Sequence, residues 1–419
     1  MNILKEVKKD TKELDLNTVE TVFNIIDDIK NEGDKSLKFY EDKFSGESRK
    51  HFKLSDEEIE QLINSLDVDT KKIIELNVKR IKEFAEAQLA TINPLEGYFG
   101  EGIRMGHKII PIDSIGAYVP GGRYPLLSSG PMVVAPAKVA GVSNIIACSP
   151  ANYNGSIHPA VVYGLKLSGA TEIYGIGGSQ AIAAMAYGTE SVTQVDMIAG
   201  PGNKFVAEAK KQVFGDVGID MIAGPSEIVV ISDDSSNPEL CAADLLAQSE
   251  HDPNSRAILI SSTKDMADKV YLEIKNQIKD FSDDSPVHKS WEDMGEIIIT
   301  ENDEESIKLS NEIAGEHVQV HCKNLKKYEQ ELKNYGSLFL GSNSSVVFSD
   351  KVSGTNHTLP TNKASKFTGG LWVGSYLKTQ TFQEINEPGL NTLAEHSTQQ
   401  SDIEGLHGHK MSAYKRLKN

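Results

Sequence analysis

Hydrophobic positions in the first ninety residues recur at helical spacing. Val19, Val22, Phe23, Ile26 and Ile29 follow Asn17-Thr18 at intervals that put side chains on one helix face, and Gly33 marks the stop. Ser55-Asp-Glu-Glu58 is a capping box opening a second amphipathic segment with Ile59, Leu62, Ile63 and Leu66. A longer helix is expected from about Thr70 to Leu89. From about Lys108 short β-branched runs take over, at 109–110, 145–148, 173–176, 195–198, 228–231, 257–260, 297–299, 318–320 and 337–340. Helical stretches such as 132–140, 159–167 and 205–213 separate them.

Strand and helix in alternation imply an α/β fold, with parallel sheets covered on both faces. The alternation is too long for one open sheet, so two units are expected: 118–227, and a flanking unit made of 18–117 with 228–371. Residues 1–17 form an N-terminal arm, and 372–419 a mostly helical, polar extension unable to build a core alone. Such a tail must pack on something, and a neighbouring subunit is the natural candidate.

Composition narrows the partners. With 419 residues, 39% of them hydrophobic and 25% charged, the chain can bury a sizeable core. A formal net charge of −17 argues against a nucleic-acid or anionic-membrane partner. Cys148, Cys241 and Cys322, odd in number and far apart, make neither a disulfide framework nor a thiolate zinc site. The N-terminus lacks the apolar core of a signal peptide, and no run is long and apolar enough to span a bilayer, so a cytoplasmic location is expected.

Candidate chemistry clusters in a few stretches. In Asp244-Leu-Leu-Ala-Gln248-Ser-Glu-His251-Asp-Pro253 an amide and an imidazole three residues apart end a helix, which is half of a divalent-metal site. Glu316-His317 precedes a strand, where a carboxylate and an imidazole can serve as water activator and base. Asp350 and His357 lie seven apart in a loop, and Glu404 and His409 repeat the pairing in the tail. Ligands of nitrogen and oxygen type without cysteine favour zinc, manganese or a similar ion. Glycine-rich turns at 118–123, 175–180 and 200–203 follow strands where α/β proteins bind nucleotides, although none is a dinucleotide fingerprint or a Walker loop. Gly224-Pro-Ser226-Glu227 presents a hydroxyl in a turn.

Taken in order, these segments resemble the histidinol dehydrogenase family along nearly the whole chain. The resemblance rests on Tyr118-Val-Pro-Gly-Gly122, Gly178-Ser-Gln180-Ala-Ile-Ala, Ile198-Ala-Gly-Pro-Gly-Asn203, Ala223-Gly-Pro-Ser226-Glu and Gln248-Ser-Glu-His251-Asp-Pro. It continues through Glu316-His317, Ser353-Gly-Thr-Asn-His357-x-Leu-Pro and Glu404-Gly-Leu-x-x-His409. It implies two incomplete Rossmann-like domains, and a homodimeric zinc enzyme that uses two NAD to oxidise a primary alcohol through an aldehyde to a carboxylate. By that resemblance Gln248, His251, Asp350 and His409 hold the metal and so help seat the substrate, with the tail that carries Glu404 and His409 crossing to the partner subunit. Tyr118, Gln180 and Asn203 would touch NAD. Ser226, His357 and Glu404 would hold substrate, His317 would take the alcohol proton and Glu316 would activate water.

Two segments depart from the biosynthetic pattern: Arg123-Tyr124-Pro125-Leu-Leu-Ser128-Ser129, and the run from Phe367 to Lys378 with Leu371-Trp372. Both look like a branch that oxidises 2,3-dihydroxypropane-1-sulfonate to sulfolactate, and a guanidinium at 123 could clamp a sulfonate. Against this, Ser226 and Glu404 match the histidinol pattern, and a carboxylate at 404 suits a cationic amine. L-histidinol is the expected substrate and the sulfonated diol the alternative. A non-catalytic nucleotide- or metal-binding homologue and a zinc hydrolase are the other classes to separate.

Overall fold

The computed structural model describes residues 2–8, 16–45, 49–121 and 125–417. Arg123 and Tyr124 lie outside the described residues. Three sheets organise the chain. A six-stranded sheet runs in the order Asn2–Lys5, Glu296–Ile299, Arg256–Ser261, Glu227–Ser232, His317–Val320, Ser337–Leu340, parallel except for its first strand. Every residue of the central strand Glu227–Ser232 is buried, as a parallel strand covered on both faces requires. Each large aliphatic side chain there contributes roughly 1.5–3 kcal/mol of burial.

A five-stranded parallel sheet runs Glu172–Gly175, Asn144–Ser149, Ser114–Tyr118, Met197–Ala199, Gly218–Ile219. In chain order this is 3-2-1-4-5, so the direction of winding reverses between the strands ending at Tyr118 and Ala199. The loops that leave those ends diverge, opening the crevice where such sheets take ligands. A unit boundary at 118 therefore falls on the last residue of this sheet's first strand.

The N-terminal helices cover this second sheet and not the first, with which the hydrophobic pattern had grouped them. Leu16–Glu32 and Asp34–Ser45 put Val22, Ile25, Leu37 and Tyr40 into one core with Ile146, Cys148, Tyr174 and Ile182. On the opposite face Ile59 of Asp56–Asn64 and Ala85 of Val68–Leu89 join Ile115, Val133 and Ile145. An amphipathic stripe says that a face is buried; it carries no information on which sheet buries it. The capping box at Ser55 is half formed: the hydroxyl accepts from Glu58 N at 3.2 Å, but the Glu58 carboxylate turns to Arg49 and Ser156.

The third sheet corrects two expectations. Leu95–Tyr98, Ile103–Pro111 and Leu377–Ile385 form an antiparallel ribbon. Ile109-Ile110 thus opens no α/β repeat, and the C-terminal extension begins with a nine-residue strand before its helices Glu387–Ile403 and His407–Arg416. Its Thr- and Gln-rich sequence leaves few apolar residues to betray a strand. The helix His407–Arg416 buries no residue. Among the described residues no helix is long and apolar enough to cross a membrane, and all three cysteines are buried free thiols.

Candidate active site

The helix Asp303–Ile313 stops at Ala314, which adopts the left-handed region at φ 53°, ψ 53°. That conformation costs an alanine roughly 1–2 kcal/mol, so the turn into the next strand is imposed by its surroundings. Glu316 follows, its carbonyl accepting from Ser337 N at 2.9 Å. Gly336 lies so close that a Cβ there would come within 2.5 Å of that carbonyl oxygen. His317 then enters the sheet between Ile228 and Ser337, 3% exposed.

The two nitrogens of His317 have different company. Nδ1 lies 2.9 Å from the Glu227 carbonyl and 3.4 Å from Glu316 Oε2. A carbonyl can only accept, so Nδ1 carries the hydrogen and Nε2 the lone pair of the neutral ring. Nε2 is buried and has no partner among the described residues. Burial alone would lower the imidazole pKa, but Glu316 foremost, then Asp350, outweigh it and raise the value to about 9. The folded value exceeds the ordinary 6.5, so the proton stabilises the fold fully below pH 6.5, a contribution lost as pH rises through about 9.

Glu316 Oε2 also accepts from Glu227 N at 2.8 Å. Burial, then the neighbouring Glu316 charge, pushes Glu227 up to about 7. Desolvation lowers His357, whose Nδ1 stands 3.7 Å from Asp350 Oδ1. Ser226, the substrate hydroxyl expected from the sequence, is half-buried, with its carbonyl accepting from Arg256 N at 2.9 Å.

The helix Pro238–Ser249 begins at Asn237, whose side chain caps Glu239 N and Leu240 N. It ends at Ser249, so His251 falls in the turn beyond it, where it is exposed, while Gln248 is buried at 3%. The two do not share one helical face as their spacing suggested. One turn before Gln248, Asp244 ties three elements together. Its Oδ1 accepts from Ser345 Oγ at 2.7 Å; Oδ2 accepts from Gln319 Nε2 at 2.6 Å and faces His321 Nε2 at 3.2 Å. Ser345 is the N-cap of Val346–Lys351, which carries Asp350, and Gln319 and His321 share the strand face of His317.

Glu404, in the turn after Glu387–Ile403, and His409, in His407–Arg416, are both exposed, and Glu404 Oε1 accepts from Gln400 Nε2 at 2.7 Å. Among the described residues, no three His, Cys, Asp or Glu side chains of this one chain are arranged to hold a metal ion. The four expected ligands are therefore not assembled within a single copy.

At the crevice of the second sheet, the Tyr118 hydroxyl accepts from Gly178 N at 3.1 Å, and Gln180 Nε2 donates to Glu41 Oε1 at 2.7 Å. Asn203 is exposed and caps Lys204–Val213, its Oδ1 accepting from Phe205 N and Val206 N. Gly200, at φ 124°, packs so tightly that a Cβ would lie 2.1 Å from the Tyr118 carbonyl oxygen. Its N–H donates to Asp220 at 2.8 Å and its carbonyl accepts from Lys210 Nζ at 2.9 Å. Lys210 and Asp220 form a buried ion pair, with 3% and 0% of their side chains exposed. Replacing Lys210 by methionine strands the Asp220 charge, and chemical denaturation should show a loss of about 3–5 kcal/mol. An unchanged unfolding midpoint would mean that this pair does not hold the loop.

The histidinol dehydrogenase family model matches residues 7–417 of the chain. The chain belongs to the histidinol dehydrogenase family. It is 43% identical over 95% of its length to a histidinol dehydrogenase homolog of Shouchella clausii, covering 94% of that protein. It is 38% identical to the histidinol dehydrogenase of Methanothermobacter thermautotrophicus, covering 95% of this chain and 93% of the relative. Its fold matches the crystal structure of histidinol dehydrogenase from Elizabethkingia anophelis with a TM-score of 0.92, at 35% identity, over 98% of this chain and 94% of that one. Histidinol dehydrogenases are NAD-dependent oxidoreductases acting on CH–OH.

The family generally uses NAD and zinc, and the side chains available here are of the donor type that zinc takes. Gln248 is buried at 3% exposure, Asp350 Oδ1 stands 3.7 Å from His357 Nδ1, and the donors are of nitrogen and oxygen type. Sequence reasoning missed Glu227, Asp244 as a tie, and Glu41. Glu227 follows Ser226 directly and Asp244 opens the stretch that holds Gln248, so both had a local signal. Glu41 had none: it is one acid among many on an N-terminal helix.

Proposed function

We propose that this chain catalyses the four-electron oxidation of a primary alcohol through an aldehyde to a carboxylate, with L-histidinol to L-histidine as the reaction. What carries the reading is the buried Nε2 of His317, unpartnered among the described residues, a base held in one tautomer by the Glu227 carbonyl. When bound, NAD supplies the hydride acceptor for each of two oxidations and zinc anchors and aligns the substrate. Gln248, His251 and Asp350 would hold the metal, with His409 from a second copy.

His317 Nε2 takes the hydroxyl proton as the C–H bond breaks, because a hydride leaves readily only from a carbon bearing a developing alkoxide. Glu316 takes a proton from the water that adds to the aldehyde, and His317 takes the hydroxyl proton of the resulting hydrate. The balance is one alcohol, one water and two NAD giving one carboxylate, two NADH and three protons. Tyr118, Gln180 and Asn203 would contact the dinucleotide, and Ser226, His357 and Glu404 the substrate. A dimer is supported by the exposed tail: Ile403 is 89% exposed, Leu406 43%, and the last helix buries nothing.

The second reading, oxidation of the sulfonated diol, is favoured by the two departing segments 123–129 and 367–378. NADH formation with each alcohol, before and after chelation and zinc restoration, tests both. Histidinol turnover that is lost on chelation and restored by zinc is expected. Exclusive turnover of the diol would transfer the assignment. No oxidation of either by zinc-loaded protein would leave the non-catalytic homologue ahead.

A further inference from the structure

We propose that Glu41 is a positioning residue for the cofactor: its buried carboxylate fixes which way the Gln180 carboxamide faces at the start of the helix Gly178–Tyr187. The proposal rests on the functional reading above, in which Gln180 meets the dinucleotide.

Glu41 comes from Asp34–Ser45, outside the second sheet's own α/β repeats, yet it is 2% exposed. Its Oε1 accepts from Gly177 N at 3.1 Å and from Gln180 Nε2 at 2.7 Å, and its Oε2 accepts from Ser45 Oγ at 3.2 Å. Three donors face it, the company an ionised carboxylate needs. Burial pushes its pKa up, and the hydrogen bonds from Gln180, Gly177 and Ser45 oppose that rise.

The position has a consequence for phosphate. In α/β nucleotide sites the free N–H groups at a helix start commonly hold the pyrophosphate. Here the Gly177 N–H is given to Glu41 and the Gly178 N–H to the Tyr118 hydroxyl. A phosphate brought to this helix end would find those two donors used and a negative charge in their place. What this helix end adds for a dinucleotide is the neutral side chain of Gln180.

The carboxylate can only accept, so the NH2 half of Gln180 must turn toward it. The oxygen half must then face the other way. Gly178 leaves room for this: a Cβ there, where φ is 61°, would lie 2.5 Å from Gln180 Oε1. Glu41 thus makes Gln180 present an acceptor, suited to an N–H donor such as a carboxamide.

The test begins with Glu41→Gln, which keeps the shape and removes the constraint, since the new amide can accept or donate. Gln180 can then turn its oxygen inward and present its NH2. Fluorescence titration with NADH alone, without alcohol, should show the dissociation constant rising about tenfold. The KM for NAD should rise with it, while the KM for the alcohol stays within about twofold. The double variant Glu41→Gln with Gln180→Glu restores a donor opposite a carboxylate, an acceptor toward the cofactor and the original net charge. Its NADH affinity should recover most of the loss, and melting curves report whether each variant is folded. If the parent binds NADH and folded Glu41→Gln binds it equally well, the inference is wrong; so too if the double variant recovers nothing. A parent chain that binds no NADH at all would bring down the functional reading and this inference with it.

Discussion

His317→Gln is expected to lower kcat for alcohol oxidation by about 10²- to 10⁴-fold, the usual worth of a positioned general base. Glutamine can still donate to the Glu227 carbonyl, which Nδ1 meets at 2.9 Å, but nothing replaces the Nε2 lone pair. The fold should survive, since the strand His317–Val320 keeps its ladder on both sides. The pH dependence follows from the same geometry. A base works only when unprotonated, and Glu316 and Asp350 hold the His317 pKa at about 9 against the effect of burial. Parental kcat/KM should therefore fall as pH drops below about 9, approaching tenfold per unit. Single-turnover NADH formation across pH checks this. If His317→Gln forms NADH from alcohol at the parental rate, His317 is not the base.

Glu316→Gln should separate the two oxidations. Supplied aldehyde should be oxidised about 10²-fold more slowly or worse, because the amide cannot take the proton of the attacking water. The first oxidation should suffer less. Its pH limb should also move to lower pH, since removing Glu316 removes the largest influence that raises His317. A shifted limb for the alcohol and a slow aldehyde step together identify a carboxylate that does both jobs. An aldehyde rate equal to the parent's would assign water activation elsewhere.

Some of this was legible before any coordinates. The buried strands of both parallel sheets announce themselves as short runs of Ile and Val, because a strand covered on both faces has no polar side to interrupt it. Glu316 and His317 stand out because they are adjacent at the start of such a strand. Leu377–Ile385 was hidden for the opposite reason: its ladder is largely exposed and its side chains are mostly polar. Two kinds of information were missing altogether. Pairing between distant elements, such as Asp244 with Gln319 and Ser345, is invisible to local spacing. So is the destination of an amphipathic face: nothing local in Leu16–Glu32 or Asp34–Ser45 says that they share a core with the five-stranded sheet, or that Glu41 reaches Gln180.

The opening of the chain stitches the two halves together. Asn2–Lys5 adds an edge strand beside Glu296–Ile299, and the helices that follow close over the other sheet. Neither half is a contiguous piece of sequence that could be excised for study. A fragment starting near residue 100 would strip the roof from one sheet and expose the rim of the other. For anyone designing truncations or fusions, the strand Asn2–Lys5 and the helices Leu16–Glu32 and Asp34–Ser45 act as a rivet through both halves, and deleting them would weaken both.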